Sequence, residues 1–162
     1  MCEALRRFIF TIKMKKFILS AAAALALLTS CGGAAGPSLS EYGVDTQAIT
    51  TGMSEIIEQA KSNGESWELD DWKNAYRELN KLSLPYLRLN AQMLQETQAD
   101  AAAAAQKYEK AAEELAEFLP KYQELTQAFM AVANETGAAQ AIAEDADFQQ
   151  ELAATTNAAM QQ

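Results

Sequence analysis

Residues 84–122 read LPYLRLNAQMLQETQADAAAAAQKYEKAAEELAEFLPKY. Within this stretch Leu84, Leu87, Ala91, Leu94, Gln98, Ala101, Ala105, Tyr108, Ala112, Leu115, Leu119 and Tyr122 recur at alternating spacings of three and four, and Phe129 is still in phase. That is a heptad seam over five repeats, interrupted by one polar residue, Gln98. Its middle is alanine, the strongest helix former, so the Ala-rich segment 99–106 reads as rigid helix rather than low-complexity chain. Small side chains there let a partner backbone approach closely. Pro120 lies inside the pattern, yet the stripe keeps phase across it, which predicts a kink and not a reversal.

The elements around the seam follow from capping and periodicity. Asp45 is a candidate N-cap for a helix to about Ser62, with Ile49, Met53, Ile56 and Ala60 as its apolar stripe and Asn63-Gly64 as its stop. Ser66 is the expected cap of a second helix, with Glu68, Asp70 and Asp71 near the positive end of its dipole. Trp72, Tyr76, Leu79 and Leu82 form its buried face. Trp67 and Trp72 fit a binding platform, although aromatic residues at such spacing belong more often to a core. Pro85 disfavours helix at Leu84, so a break or kink is expected at Ser83–Pro85. Glu135-Thr136-Gly137 is the clear reversal. A last helix begins near Asp147, whose spacing to Gln150 resembles a capping box, and presents Phe148, Leu152, Thr155 and Ala159. No segment after Ser40 alternates with period two, so no strand is expected. The predicted fold is all-α, a three- to four-helix bundle drawn out by a long kinked helix and occupying 41–162.

Ahead of this domain the sequence changes character. Lys13, Lys15 and Lys16 precede an apolar run, Phe17 to Leu28, of twelve residues. As a helix the run spans about 18 Å, short of the roughly 30 Å hydrocarbon core of a bilayer. A basic start, a short apolar stretch and small residues after it describe a secretory signal over 1–30. The run closes Leu28-Thr29-Ser30-Cys31, which resembles the lipobox of bacterial lipoproteins: a Leu or branched residue, two small residues, then Cys. The resemblance covers 14–31 and implies cleavage between Ser30 and Cys31 and lipidation of Cys31. The alternative is a transmembrane anchor followed by a free thiol. Met14-Lys15-Lys16-Phe17 looks like the natural start of such a signal, which would make Met1–Lys13, with Cys2, upstream sequence.

Residues 31–40 combine the lipidated Cys with a Gly-, Ala- and Ser-containing linker, flexible by composition and about 17 Å in root-mean-square reach. Glycine follows Cys31, and no acidic residue occurs between Cys31 and Glu41. By resemblance to lipoprotein sorting signals, the lack of Asp after the Cys favours the outer membrane over the inner. The missing acidic cluster favours the periplasmic side. The chain as a whole resembles small helical lipoproteins of Gram-negative envelopes, a likeness that carries no functional residue beyond the lipobox.

Composition narrows the chemistry. The 162-residue chain has no histidine, two cysteines and a net charge of −9. Histidine-based triads and acid–base catalysis, His-ligated metals, Cys-rich zinc sites and disulfide frameworks are therefore excluded. From Cys31 onward there are 8 basic and 21 acidic side chains, a charge of −13, which argues against nucleic acid as a partner. Glu109, Glu113 and Glu117 share a helix face and fit either a cation site or a solvated exterior. The i,i+4 pairs Lys110–Glu114 and Glu117–Lys121 favour the exterior. Glu144-Asp145-Ala146-Asp147 lacks the glycine of a calcium loop and reads as helix capping. No cofactor, metal site or catalytic residue is expected. The expected function is a non-enzymatic interaction or scaffolding module, monomeric, tethered through Cys31 and meeting an envelope protein. The alternative is a ligand-binding module for a small apolar molecule or a cation, which a deep apolar pocket would favour.

Overall fold

The computed structural model describes residues 36–161. The proposed signal, with Ser30 and Cys31, lies outside the described residues. Five helices follow in order: α1 Thr46–Asn63, α2 Leu69–Ala99, α3 Ala101–Glu135, α4 Ala138–Glu144 and α5 Ala146–Met160. There is no strand among the described residues. The fold is an all-α bundle, as the periodicity predicts.

The seam is the main correction. It is not one helix but an antiparallel hairpin, divided at a single non-helical residue, Asp100. Asp100 closes α2 and caps α3, accepting the backbone N–H groups of Ala102 and Ala103 at 3.1 and 3.0 Å. Pairs across the hairpin step in opposite directions along the chain: Glu96 with Lys107, Tyr86 with Phe118, Ser83 with Tyr122, Tyr76 with Phe129. The buried face is also rotated from the predicted one. On α3 it runs Ala104, Tyr108, Ala111, Leu115, Phe118, Leu125, Phe129 and Ala133. Four of the eight expected positions, Ala105, Ala112, Leu119 and Tyr122, are half-buried beside it, and Ala101 is exposed. On α2, Tyr86, Leu89 and Met93 face the core, while Leu94 is 48% exposed. The 3–4 spacing appeared continuous because each arm of the hairpin carries its own stripe.

Neither proline ends a helix. Pro85 lies within α2 and Pro120 within α3. Of the break or kink expected at Ser83–Pro85, the break does not occur, and packing fixes the helix on both flanks. Tyr122 donates its hydroxyl to Ser83 Oγ at 3.0 Å, and the Tyr86 ring meets Phe118 and Tyr122 at 5.8 and 5.3 Å. These contacts offset the proline penalty of about 3 kcal/mol. The α2–α3 interface continues as an aromatic column, Phe129 touching Tyr76 at 5.0 Å and Trp72 at 5.9 Å. Such ring pairs add about 0.5–1.5 kcal/mol each beyond the area they bury.

Helix α1 packs on α3 and α2, capped by Asp45, whose carboxylate accepts the Ala48 N–H at 2.9 Å. Its buried residues are Ile49, Met53, Ile57 and Ala60. Ile57 replaces the expected Ile56, which is half-buried, because the face must cover two helices at once. Glu68, not Ser66, is the N-cap of α2: the turn after α1 runs on through Ser66, whose N–H and hydroxyl both bond Asn63 O, and Asp71 accepts the Glu68 N–H at 3.0 Å. The Glu135–Gly137 reversal stands where expected, with Gly137 at φ 77°. The final leg is broken into α4 and α5, and its cap is Asp145, which accepts the Phe148 N–H at 2.9 Å. The proposed Asp147 box is not the cap. Thr155 is exposed, and Thr156 instead reaches Asn80 at 3.2 Å.

Candidate functional site

The first region that bears on function is where the chain enters the fold. The segment 36–44 was expected to be linker up to Ser40, but Ser38 and Leu39 are buried and belong to the packed body. Leu39 is 2% exposed, and its N–H donates to Glu114 Oε2 at 2.6 Å. The backbone N–H and hydroxyl of Ser38 both donate to Glu41 Oε2 at 2.8 Å, which holds the Glu41 carboxyl below its ordinary range. Tyr42 stacks on Tyr108 at 5.4 Å and donates to Lys107 O at 3.4 Å. Gly36 lies so close to the Lys107 carbonyl that an added Cβ would collide with it. This strap was legible in principle: Ser38-Leu39-Ser40-Glu41 has the spacing of a capping box.

Beside the strap, Lys107 bridges Glu96 at 2.7 Å across the hairpin. Hydrogen bonds from Lys107 and then Gln92 hold Glu96 below the usual carboxylate range, and Lys107 is raised in turn. The Tyr108 hydroxyl is enclosed next to this pair without a hydrogen bond of ordinary geometry. Burial is the main cause of its raised pKa.

The second region is a cleft of about 540 Å³ at the opposite end of the bundle, where α1 ends, α2 begins and α3 turns into α4. Ala60, Leu69, Val132, Ala138 and Ala141 contribute its apolar lining, and Glu65 and Glu135 are among its polar residues. Trp67 and Trp72 meet there edge-on at 4.9 Å. Trp72 is core, as the sequence favoured; Trp67 is half-buried at the cleft. Gly64 is required by this packing, because a Cβ would strike the Ala60 carbonyl and the Trp72 indole. Sequence reasoning missed the cleft, since its lining comes from four separate helices.

The acidic row on α3 faces outward over most of its length. Glu113 and Glu117 are exposed, and Lys121 pairs with Glu124 at 3.0 Å instead of with Glu117. Glu114 turns to the Leu39 N–H rather than pairing with Lys110 as expected. Among the described residues no three His, Cys, Asp or Glu side chains converge to hold a metal ion. Asp145 and Glu151 are structural: Lys73 bonds Asp145 at 2.7 Å and Arg77 bonds Glu151 at 2.6 Å, fastening α5 to α2, with Phe148 under both cations at 5.8 and 5.0 Å. None of the described helices is long and apolar enough to cross a membrane. Comparison with family models, with curated proteins and with solved structures gave no match.

Proposed function

We propose that this chain is a lipoprotein of the outer membrane, anchored through Cys31 and displaying its helical domain on the periplasmic side as a non-enzymatic interaction or scaffolding module. The observation that carries the reading is the spacing between lipobox and strap. The buried body starts at Ser38, seven residues after Cys31, so an anchor there would hold a rigid bundle close to a bilayer. The core is filled by side chains from all of its own helices, Val44 and Tyr108 among the most enclosed, which supports a monomer that uses its surface. The test is labelled-palmitate incorporation and membrane fractionation of wild type and Cys31→Ala. Wild type should take up label and fractionate with outer membranes, and Cys31→Ala should do neither. A mature-sized, membrane-bound Cys31→Ala would overturn the anchor. Crosslinking and affinity capture of the lipidated protein from envelopes then tests the interaction role.

The Trp67 cleft favours a second reading, a ligand-binding module. Its volume falls in the range of small-molecule sites, about 300–1,000 Å³, and its two carboxylates, Glu65 and Glu135, outnumber the one lysine, Lys61, which suits a cation with an apolar tail. Titrating the domain with octylammonium while following tryptophan emission tests this. A saturable change lost in Trp67→Ala would support the module reading.

A further inference from the structure

The strap and the charge distribution together orient the molecule. Gly36 rests on the Lys107 carbonyl, seven residues from the hairpin turn at Asp100, or about 10 Å along α3. Gly36 is five residue steps from Cys31, a reach of at most about 18 Å fully extended. The cleft end lies 28 residues further along α3, about 42 Å from Lys107. A tether of that length rules out a bundle standing cleft end down on the surface that holds Cys31, because Lys107 would then lie about 42 Å above it.

Charge separates the same two ends. Residues 82–107 carry two basic side chains, Arg88 and Lys107, and two acidic ones, Glu96 and Asp100. The rest of the described body carries six basic and nineteen acidic side chains. Glu41 of the strap, one of those nineteen, also lies at this end near Lys110, which leaves the end at −1 against −12 for the rest. An anionic lipid surface repels an acidic body least at this end. Leu94 and Ala101 to Ala103 are exposed there.

We propose that the tip of the α2–α3 hairpin, residues 94–107, is the face that lies against the lipid surface, with the Trp67 cleft held away from it. The proposal rests on the anchor at Cys31. Both native tryptophans sit at the cleft end, which supplies the probe. The lipidated protein is reconstituted into vesicles of phosphatidylethanolamine with a minority of phosphatidylglycerol, with plain or brominated acyl chains. Wild-type emission should be the same in both vesicles. Ala102→Trp, at an exposed position, should lose emission in the brominated ones. Quenching of wild type equal to that of the variant, or an unquenched Ala102→Trp, would overturn the proposal. A parallel arm couples Cys31 of the processed chain to a maleimide phospholipid. It gives the same answer whether or not cells lipidate Cys31, so failure of the anchor and failure of the orientation are told apart.

Discussion

The Leu39 backbone N–H and the Glu114 carboxylate meet at 2.6 Å across 75 residues of sequence. This bond closes the entering chain onto the middle of α3, and it places a residue of apparent linker in the core. Leu39→Ala should therefore destabilise the domain like a core truncation, by about 2–5 kcal/mol. Glu114→Ala leaves a buried N–H without its acceptor and should cost about 1–3 kcal/mol. Glu114→Gln keeps an acceptor and should cost less. Urea unfolding of the three variants checks the order. Equal stability of Leu39→Ala and wild type would return the strap to the linker.

The alanines of α3 offer a test of the rotated face. Ala111 is fully enclosed at 0% exposure, and Ala101, expected in the seam, is exposed. Ala111→Leu should cost about 1–3 kcal/mol by overpacking. Ala101→Leu should change the melting temperature little. If Ala101→Leu proves the more damaging, the hairpin is packed on the originally expected face.

Tyr108 carries a buried hydroxyl with no hydrogen bond of ordinary geometry. Removing such a group relieves its desolvation and gives up only loose polar contacts with Lys107 and Glu96. Tyr108→Phe should thus be as stable as wild type or gain up to about 1 kcal/mol. Calorimetric melting decides it, and a clear loss of stability would reveal a partner for the hydroxyl.

Stability should fall on both sides of neutrality. Lys73 holds Asp145, and Arg77 holds Glu151, below their ordinary values. A depressed carboxylate contributes stability above its unfolded value, near pH 4, and loses it as pH falls through the folded value. The tyrosines act in the opposite sense. Burial raises Tyr76 to about 12 and raises Tyr86 as well. Their contribution is complete below about pH 10, the unfolded value, and is lost as pH rises toward the folded one. Melting temperature against pH should show a plateau between, and Glu151→Gln should flatten the acid limb. An acid limb unchanged in Glu151→Gln would show that the Arg77 pair does not couple folding to protons.

Much of the outline was readable along the chain. Asp45 at the start of α1, the stop at Asn63-Gly64, and the reversal at Glu135–Gly137 depend on neighbouring residues alone, so capping and turn chemistry found them. The hairpin turn at Asp100 was missed for a physical reason. A one-residue connection leaves almost no composition signal, and its only mark was an N-cap aspartate before a run of alanine. The cleft left no local signal, because Ala60, Trp67, Val132 and Ala138 meet only after the helices pack.

By itself the sequence determined the helical class, the placement of most helices and the short apolar run ending in Cys31. Each follows from local periodicity, propensity or an adjacent motif. Only the tertiary structure decided where α2 and α3 fold back on each other, which face of each is buried, that both prolines stay helical, and that Leu39 belongs to the core. Those outcomes turn on side chains up to 75 residues apart. Contacts among Ser83, Tyr86, Phe118 and Tyr122 together offset the local cost of a proline, which no one of them matches alone.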